Sequence, residues 1–267
     1  MIKGQSSPLI VCLFQDAEDQ TKTTVCGFTF ATDLPFGPGI NPERGFRAAR
    51  AWLDQCLIHH ECGNQVLGGY PKRILDIQGD QVKVLKSTKS KVPYVSLSHR
   101  WGGPEHRRLI STVTTIQEHE RGIPWSTLPK TFQNAVTICR HMEVNYLWID
   151  TLCILQLCPG LTEAQVAITK EEFAEQNSIM ASIYRGSYFT IYAGISTNMD
   201  SGIFATNLPR KCFPLKVTGD DGNDVTIYVK SAHIVPHSDK LDIDTRGWTF
   251  QEFVKFIRPI YFFIALG

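Results

Sequence analysis

The sequence predicts an α/β fold, a parallel sheet flanked by helices, and three observations carry that expectation. Between residues 92 and 196, strand-like and helical segments alternate: "PYVSLSHRWG", "LPKTFQNAVTICRHM", "YLWIDTLCI", "TKEEFAEQNSIMASIYRGS" and "YFTIYAGIS". That order is the signature of a parallel sheet with right-handed crossovers. The strand segments are continuously apolar rather than alternating, as expected of strands covered on both faces. The helical segments keep a 3.6-residue period, with Phe132, Ala135, Val136, Cys139 and Met142 on one face of the first and Phe173, Ile179, Met180, Ile183 and Tyr184 on one face of the second.

The remaining elements follow in order. Residues 1 to 40 alternate turn residues with short apolar runs, "PLIVCLF" and "TTVCGFTFAT", and predict an irregular β-containing lead-in. "LPFGPGINPERG" is loop by composition, and its Gly37 and Gly39 lack the third glycine and the strand–helix context of a dinucleotide fingerprint. A helix is expected at about 44 to 60, then a hairpin of "KRILDI" and "QVKVLKST" around Gln78-Gly79-Asp80. The basic run from Lys83 to Lys91 is broken by Ser and Thr and reads as a solvated edge. Pro129 suits the first turn of the helix it opens. Beyond the alternating region lie a β-rich stretch at 213 to 235, a helix in "DTRGWTFQEFVKF" and a last strand in "RPIYFFIAL". The expected organisation is a lead-in over 1–91, its helix and hairpin packed on an α/β core over 92–267, with hairpins added at both ends.

Bulk properties exclude several classes. The chain has 267 residues, 43% hydrophobic and 20% charged, enough for a substantial core. The formal net charge of +1 gives no reason to expect nucleic acid or an anionic membrane as partner. "PLIVCLF" lacks the length, charged flank and cleavage site of a signal peptide, and no run reaches the roughly 18 apolar residues of a spanning helix. A soluble, cytoplasmic protein is expected. The eight cysteines are scattered, as in a reducing compartment where they serve as small hydrophobes. "CLIHHEC", with Cys56, His59, His60 and Cys62, has half the ligands of a zinc site but no second pair at a matching spacing, so no metal is expected.

Ligands of open parallel sheets bind beyond the carboxyl ends of the strands. The first of these strands ends in Ser98, His99, Arg100 and Trp101, the second in Asp150 and Thr151, the third in Gly194 and Ser196. Parallel strands bring those ends to one edge. His99 titrates near neutrality and is a candidate acid or base, and Asp150 is either a candidate catalytic carboxylate or the cap that ends a strand. Arg100 is the best anion binder, Trp101 a candidate for stacking on a ring. Arg100 and Asp150 are placed to meet as an orienting pair or ligand clamp. Cys153, followed by apolar residues, reads as a buried inert thiol.

Five ordered blocks, "YVSLSHRWG", "LPKTFQNAV", "YLWIDTLCILQ", "MASIYRGSYFTIYAG" and "TRGWTFQE", resemble the fungal heterokaryon incompatibility (HET) domain, and "ARAWLDQCLIHHEC" and "KRILDI" look like that family's lead-in. The resemblance covers about residues 48 to 265. It implies a protein of filamentous fungi that triggers growth arrest and cell death when unlike hyphae fuse, through a protein partner or self-association. It also implies a remote relationship to the TIR domain, a flavodoxin-like α/β fold that in some branches cleaves NAD with a glutamate. Two functions therefore stand side by side: cell-death signalling, and a small-molecule enzyme at the sheet edge. The enzyme would be a NAD-glycohydrolase-like protein or a reassigned member in secondary metabolism, with NAD or a related nucleotide as ligand.

Several positions depart from the family pattern. His99 and Arg100 stand where the family usually has Tyr and Cys, and the expected acid–aromatic pair appears as Glu172-Phe173 after an altered 157–173 segment. Gln176 stands where a glutamate is common, which leaves the adjacent Glu175 as the substitute acid. Arg246, Trp248, Gln251 and Glu252 match the last block in full; Glu252 joins His99, Asp150 and Glu175 as a candidate catalytic group, and Arg246, Trp248 and Gln251 join Ser98, Arg100 and Trp101 as candidate ligand contacts.

Overall fold

The computed structural model describes residues 11–16, 24–25, 28–29, 31–33, 42–59, 69–87, 91–103, 109–194, 196–204, 213–231 and 259–260. The chain opens with β1 (Val11–Asp16), β2 (Thr24–Val25), β3 (Phe28–Thr29), β4 (Ala31–Asp33) and helix α1 (Pro42–His59). There follow β5 (Arg73–Asp76), β6 (Gln81–Lys86), β7 (Val95–Ser98), α2 (Ile116–Arg121), β8 (Ile123–Pro124) and α3 (Lys130–His141). β9 (Tyr146–Ile149) runs directly into one helical turn, α4 (Asp150–Cys153), ahead of the long helix α5 (Glu163–Arg185) and β10 (Thr190–Tyr192). Last come β11 (Phe213–Thr218), β12 (Asp224–Ser231) and β13 (Pro259–Ile260).

The elements fall into two compact units: β1 to β4 with β11 and β12 in one, and α1 from Phe46 onward, β5 to β10 and β13 in the other. In the smaller unit the sheet order is β11-β12-β1-β4, built on the antiparallel β11–β12 hairpin, and β2 and β3 form a separate short hairpin.

The larger unit is an α/β sandwich on a sheet of order β13-β10-β7-β9-β5-β6-β8. β13, β10, β7 and β9 are mutually parallel, and β5 joins β9 antiparallel. The sheet is thus mixed, because the β5–β6 hairpin extends the sheet itself.

The parallel strands are covered on both faces, and β9 shows how. Leu147, Trp148 and Ile149 are all buried. Trp148 meets Tyr184 of α5 edge-on at 5.2 Å, so its neighbours Leu147 and Ile149 point to the opposite face. There α3 packs against β9 with Phe132, Ala135, Val136 and Cys139 buried. α1 closes the far end of α3, stacking Phe46 on His141 at 4.1 Å and donating from Arg50 to the Met142 carbonyl at 2.7 Å.

Two local expectations change. "YLWIDTLCI" is a strand only to Ile149, because the Asp150 carboxylate accepts the Thr151 amide and the Asp150 carbonyl accepts the Ile154 amide, and these bonds close a helical turn. On α5 the buried stripe is Thr169, Glu172, Gln176, Ile183 and Tyr184, and Phe173 is exposed. The helix also starts earlier than its apolar period suggests, at a capping box in which Thr162 and Gln165 satisfy each other's amides. The helix expected across 244 to 256 lies outside the described residues. Among the described residues no helix is long and apolar enough to cross a membrane, and no cluster of three or more His, Cys, Asp or Glu could hold a metal ion.

Candidate functional site

The register brings three strand ends level. Leu97 pairs with Ile149 and Tyr192 with Ser98, and beyond the ladder the Ala193 amide donates to the Ser98 carbonyl at 2.9 Å. β7, the first of the three in the chain, stands between the other two, so the chain leaves it toward one neighbour and later returns to the other. In open parallel sheets ligands gather beyond the strand ends where the order reverses in this way. His99, Arg100, Trp101 and Asp150 lie at this edge.

Asp150 organises it. One carboxylate oxygen accepts the Trp101 indole N–H at 3.1 Å; the other accepts the Thr151 amide at 2.8 Å and stands 3.8 Å from His99 Nδ1. The His99 side chain is only 1% exposed, the Asp150 side chain 23%. The imidazole meets the Phe132 ring edge-on at 5.0 Å. At 3.8 Å the Asp150 carboxylate is an electrostatic neighbour of the buried imidazole rather than a hydrogen-bond partner. Asp150 is the first residue of its helical turn and fixes the loop after β7 to the turn after β9 through Trp101.

The backbone that carries Asp150 is held by two groups. Ser111, fully buried, donates its amide to the Thr151 carbonyl (2.8 Å) and its hydroxyl to the Leu152 carbonyl (2.7 Å), and its own carbonyl accepts the Gln156 amide (2.7 Å). Ser111 Oγ also lies 2.9 Å from His119 Nδ1. Because the single hydroxyl proton goes to the Leu152 carbonyl, His119 must donate from Nδ1. This Ser–His pair is therefore an anchor and not an activated nucleophile. Burial lowers the His119 pKa against the smaller raising effect of Glu118 and so favours the neutral ring.

The second group is a buried ion pair. Both Arg73 and Glu172 are about 95% shielded from solvent. Arg73 binds Glu172 in a two-pronged fashion, with Nη2 to Oε2 at 2.9 Å and Nη1 to Oε1, and Nη1 also reaches the Cys153 carbonyl at 3.3 Å. Glu172 Oε1 accepts the Leu155 amide at 3.1 Å, and Oε2 lies 3.0 Å from Lys72 Nζ. Burial pushes the Glu172 carboxyl up, but hydrogen bonds from Arg73 and Lys72 outweigh it and hold the group below its ordinary value. Gln176 accepts the Lys72 amide at 3.0 Å, a task its side-chain oxygen performs without charge.

The loop after β10 is tied to the start of α3. Ser196 Oγ donates to the Asn198 carbonyl at 2.6 Å, Thr131 Oγ1 accepts the Gly202 amide at 3.1 Å, and Asn134 Oδ1 accepts the Ile203 amide at 3.0 Å. Gly202 has φ +79°, and a Cβ there would lie 2.9 Å from Asn134 Oδ1.

The structure thus brings Ser98, His99, Arg100, Trp101 and Asp150 to one edge, with Ser98 and His99 buried and Arg100 and Trp101 half-buried. Glu175 is exposed on α5 and lies 3.6 Å from Lys72 Nζ. Arg246, Trp248, Gln251 and Glu252 lie outside the described residues. Cys153 is buried, and burial pushes its thiol up to about 12, so no thiolate is available at neutral pH. Sequence reasoning missed Arg73, Ser111 and Glu172 as the groups that hold the edge. Only Glu172 left a trace, as an acid three residues after Thr169 and four before Gln176 on one helical stripe.

The family model for "Heterokaryon incompatibility protein (HET)" matches residues 94–252, more than half of the chain. The chain belongs to the HET family. The match begins just before β7 and takes in every strand end and tether of the edge except Arg73 and Lys72, which the HET core recruits from the hairpin before it. No curated protein and no solved structure matches the chain.

Proposed function

We propose that this HET-family chain is a cytoplasmic incompatibility-type signalling domain of a filamentous fungus, with growth arrest and cell death as its output through a protein partner or self-association. The observation that carries this reading is the closed interior of the edge. His99 is 1% exposed, and both oxygens of Asp150 accept hydrogen bonds from the protein itself. Such an edge presents a fixed shape to a partner. The buried acid near this backbone, Glu172, is held between Arg73 and Lys72, and both of its oxygens accept bonds from the protein. Expressing the chain and its Asp150→Asn variant in a filamentous fungus tests the reading. Growth arrest by the parent and not by the variant supports it, and normal growth at verified expression of the parent overturns it.

A second reading rests on the His99–Asp150 pair at 3.8 Å, an acid–base arrangement beyond the strand ends. It makes the chain an enzyme acting on NAD or a related nucleotide, in line with the TIR resemblance. Nicotinamide release from NAD by the purified chain, lost in His99→Ala, would support this reading; absence of release at any protein concentration would overturn its NAD form.

A further inference from the structure

We infer that the buried Arg73–Glu172 pair is a positioning device for the functional edge, setting where Asp150 stands relative to His99 and Trp101. Its placement argues for this. β5 runs antiparallel to β9 with Leu75 opposite Leu147, and two residues back along the same register Arg73 comes level with Ile149, the last strand residue before Asp150. The pair also bonds to the backbone that leaves Asp150: Arg73 reaches the Cys153 carbonyl and Glu172 the Leu155 amide. A guanidinium and a carboxylate that served only each other would not need those contacts. With Ser111 also holding Thr151, Leu152 and Gln156, the segment from Asp150 to Gln156 is tied by both groups. The clamp is rigid because the guanidinium and carboxylate are planar and doubly bonded to one another. Asp150 itself projects from the clamped turn to Trp101 Nε1. Arg73 and Glu172 are thus positioning residues that act through Asp150, and the inference rests on the edge being the working site.

The test separates positioning from stability. Replacing both members of a buried ion pair by apolar residues of similar size often preserves stability, so the double variant Arg73→Met/Glu172→Leu keeps the fold while removing both backbone tethers. In the chain of residues 1–267 the indole N–H of Trp101, identified through Trp101→Phe, is followed by NMR hydrogen exchange together with the His99 ring resonances. The expected result is exchange of that indole proton faster by about tenfold or more, with the His99 resonances shifted, at a melting temperature close to that of the parent. Unchanged exchange and unchanged His99 resonances overturn the inference. Should the double variant not fold, Glu172→Gln is measured instead, against Val136→Ala as a variant destabilised elsewhere in the core. An indole response in Glu172→Gln and not in Val136→Ala supports positioning, and an equal response in both overturns it. Growth arrest is scored in parallel: a displaced Trp101 with arrest intact leaves the positioning role standing and refutes the edge as the signalling surface.

Discussion

Asp150 and Glu172 flank one short stretch of backbone and live in opposite surroundings. Glu172 is buried between Arg73 and Lys72, takes a backbone amide besides, and is held charged by those partners. Asp150 is partly open and accepts from an indole and an amide, with an imidazole further off. A carboxylate whose oxygens meet two cations has a structural task, because any proton it accepted would cost it those bonds. Asp150 meets neutral donors and keeps about a quarter of its side chain exposed, so no cation fixes its charge as Arg73 and Lys72 fix that of Glu172. The two acids therefore differ by environment, one buried between cations and one partly open beside neutral donors.

The largest effect is expected at the buried acid. Glu172→Ala leaves Arg73 buried and unpaired and should cost about 3–5 kcal/mol, read as the shift in a urea unfolding midpoint. The same carboxyl sets part of the acid limb of stability. Its contribution is complete above the unfolded carboxyl value of about 4.3 and is lost as pH falls through the lower folded value. Glu172→Gln should flatten that limb; an acid limb identical to the parent's would break the contrast between the two acids.

A smaller loss is expected across the edge, where Gly202→Ala puts a Cβ at φ +79° against Asn134 and should cost about 1–3 kcal/mol. Thermal unfolding measures it, and an unaltered melting temperature would mean that the loop after β10 is not fixed to α3. Ser111→Ala removes one hydroxyl that serves both Leu152 and His119 and should cost about 1–2 kcal/mol. Hydrogen exchange should show the loss at residues 150–156 before the rest of the sheet. Asp150→Asn should cost least, about 0.5–1.5 kcal/mol, because an amide oxygen still accepts from Trp101 or Thr151. It should nevertheless abolish growth arrest. A variant that stays fully active would move the signalling role away from Asp150.

How much of this was legible beforehand differs from element to element. β7, α3, β9, α5 and β10 could be placed from the chain because strands covered on both faces are continuously apolar and amphipathic helices repeat every 3.6 residues. That His99, Arg100, Trp101 and Asp150 share one edge followed from the parallel order. That Asp150 bonds Trp101 and stands near His99 did not, since the sequence pointed to Arg100 as its partner. The mixed character of the sheet was not legible, since a hairpin such as "KRILDI"–"QVKVLKST" has the same local pattern whether it packs on a sheet or extends it. Nor was the exposure of Phe173: composition favours an aromatic inside, but Glu172 takes the inward place because Arg73 waits there from the next strand.

The sequence by itself determined the α/β class, the family and the set of groups delivered to one edge, because each depends on short-range pattern and chain order. The difference between the two acids was decided by tertiary structure alone. Asp150 stands partly open and Glu172 is buried and held charged because the partners that distinguish them, Trp101 and His99 for one and Lys72 and Arg73 for the other, lie about 50 and 100 residues away in the chain, and the charge state of a carboxylate is set by what surrounds it in space.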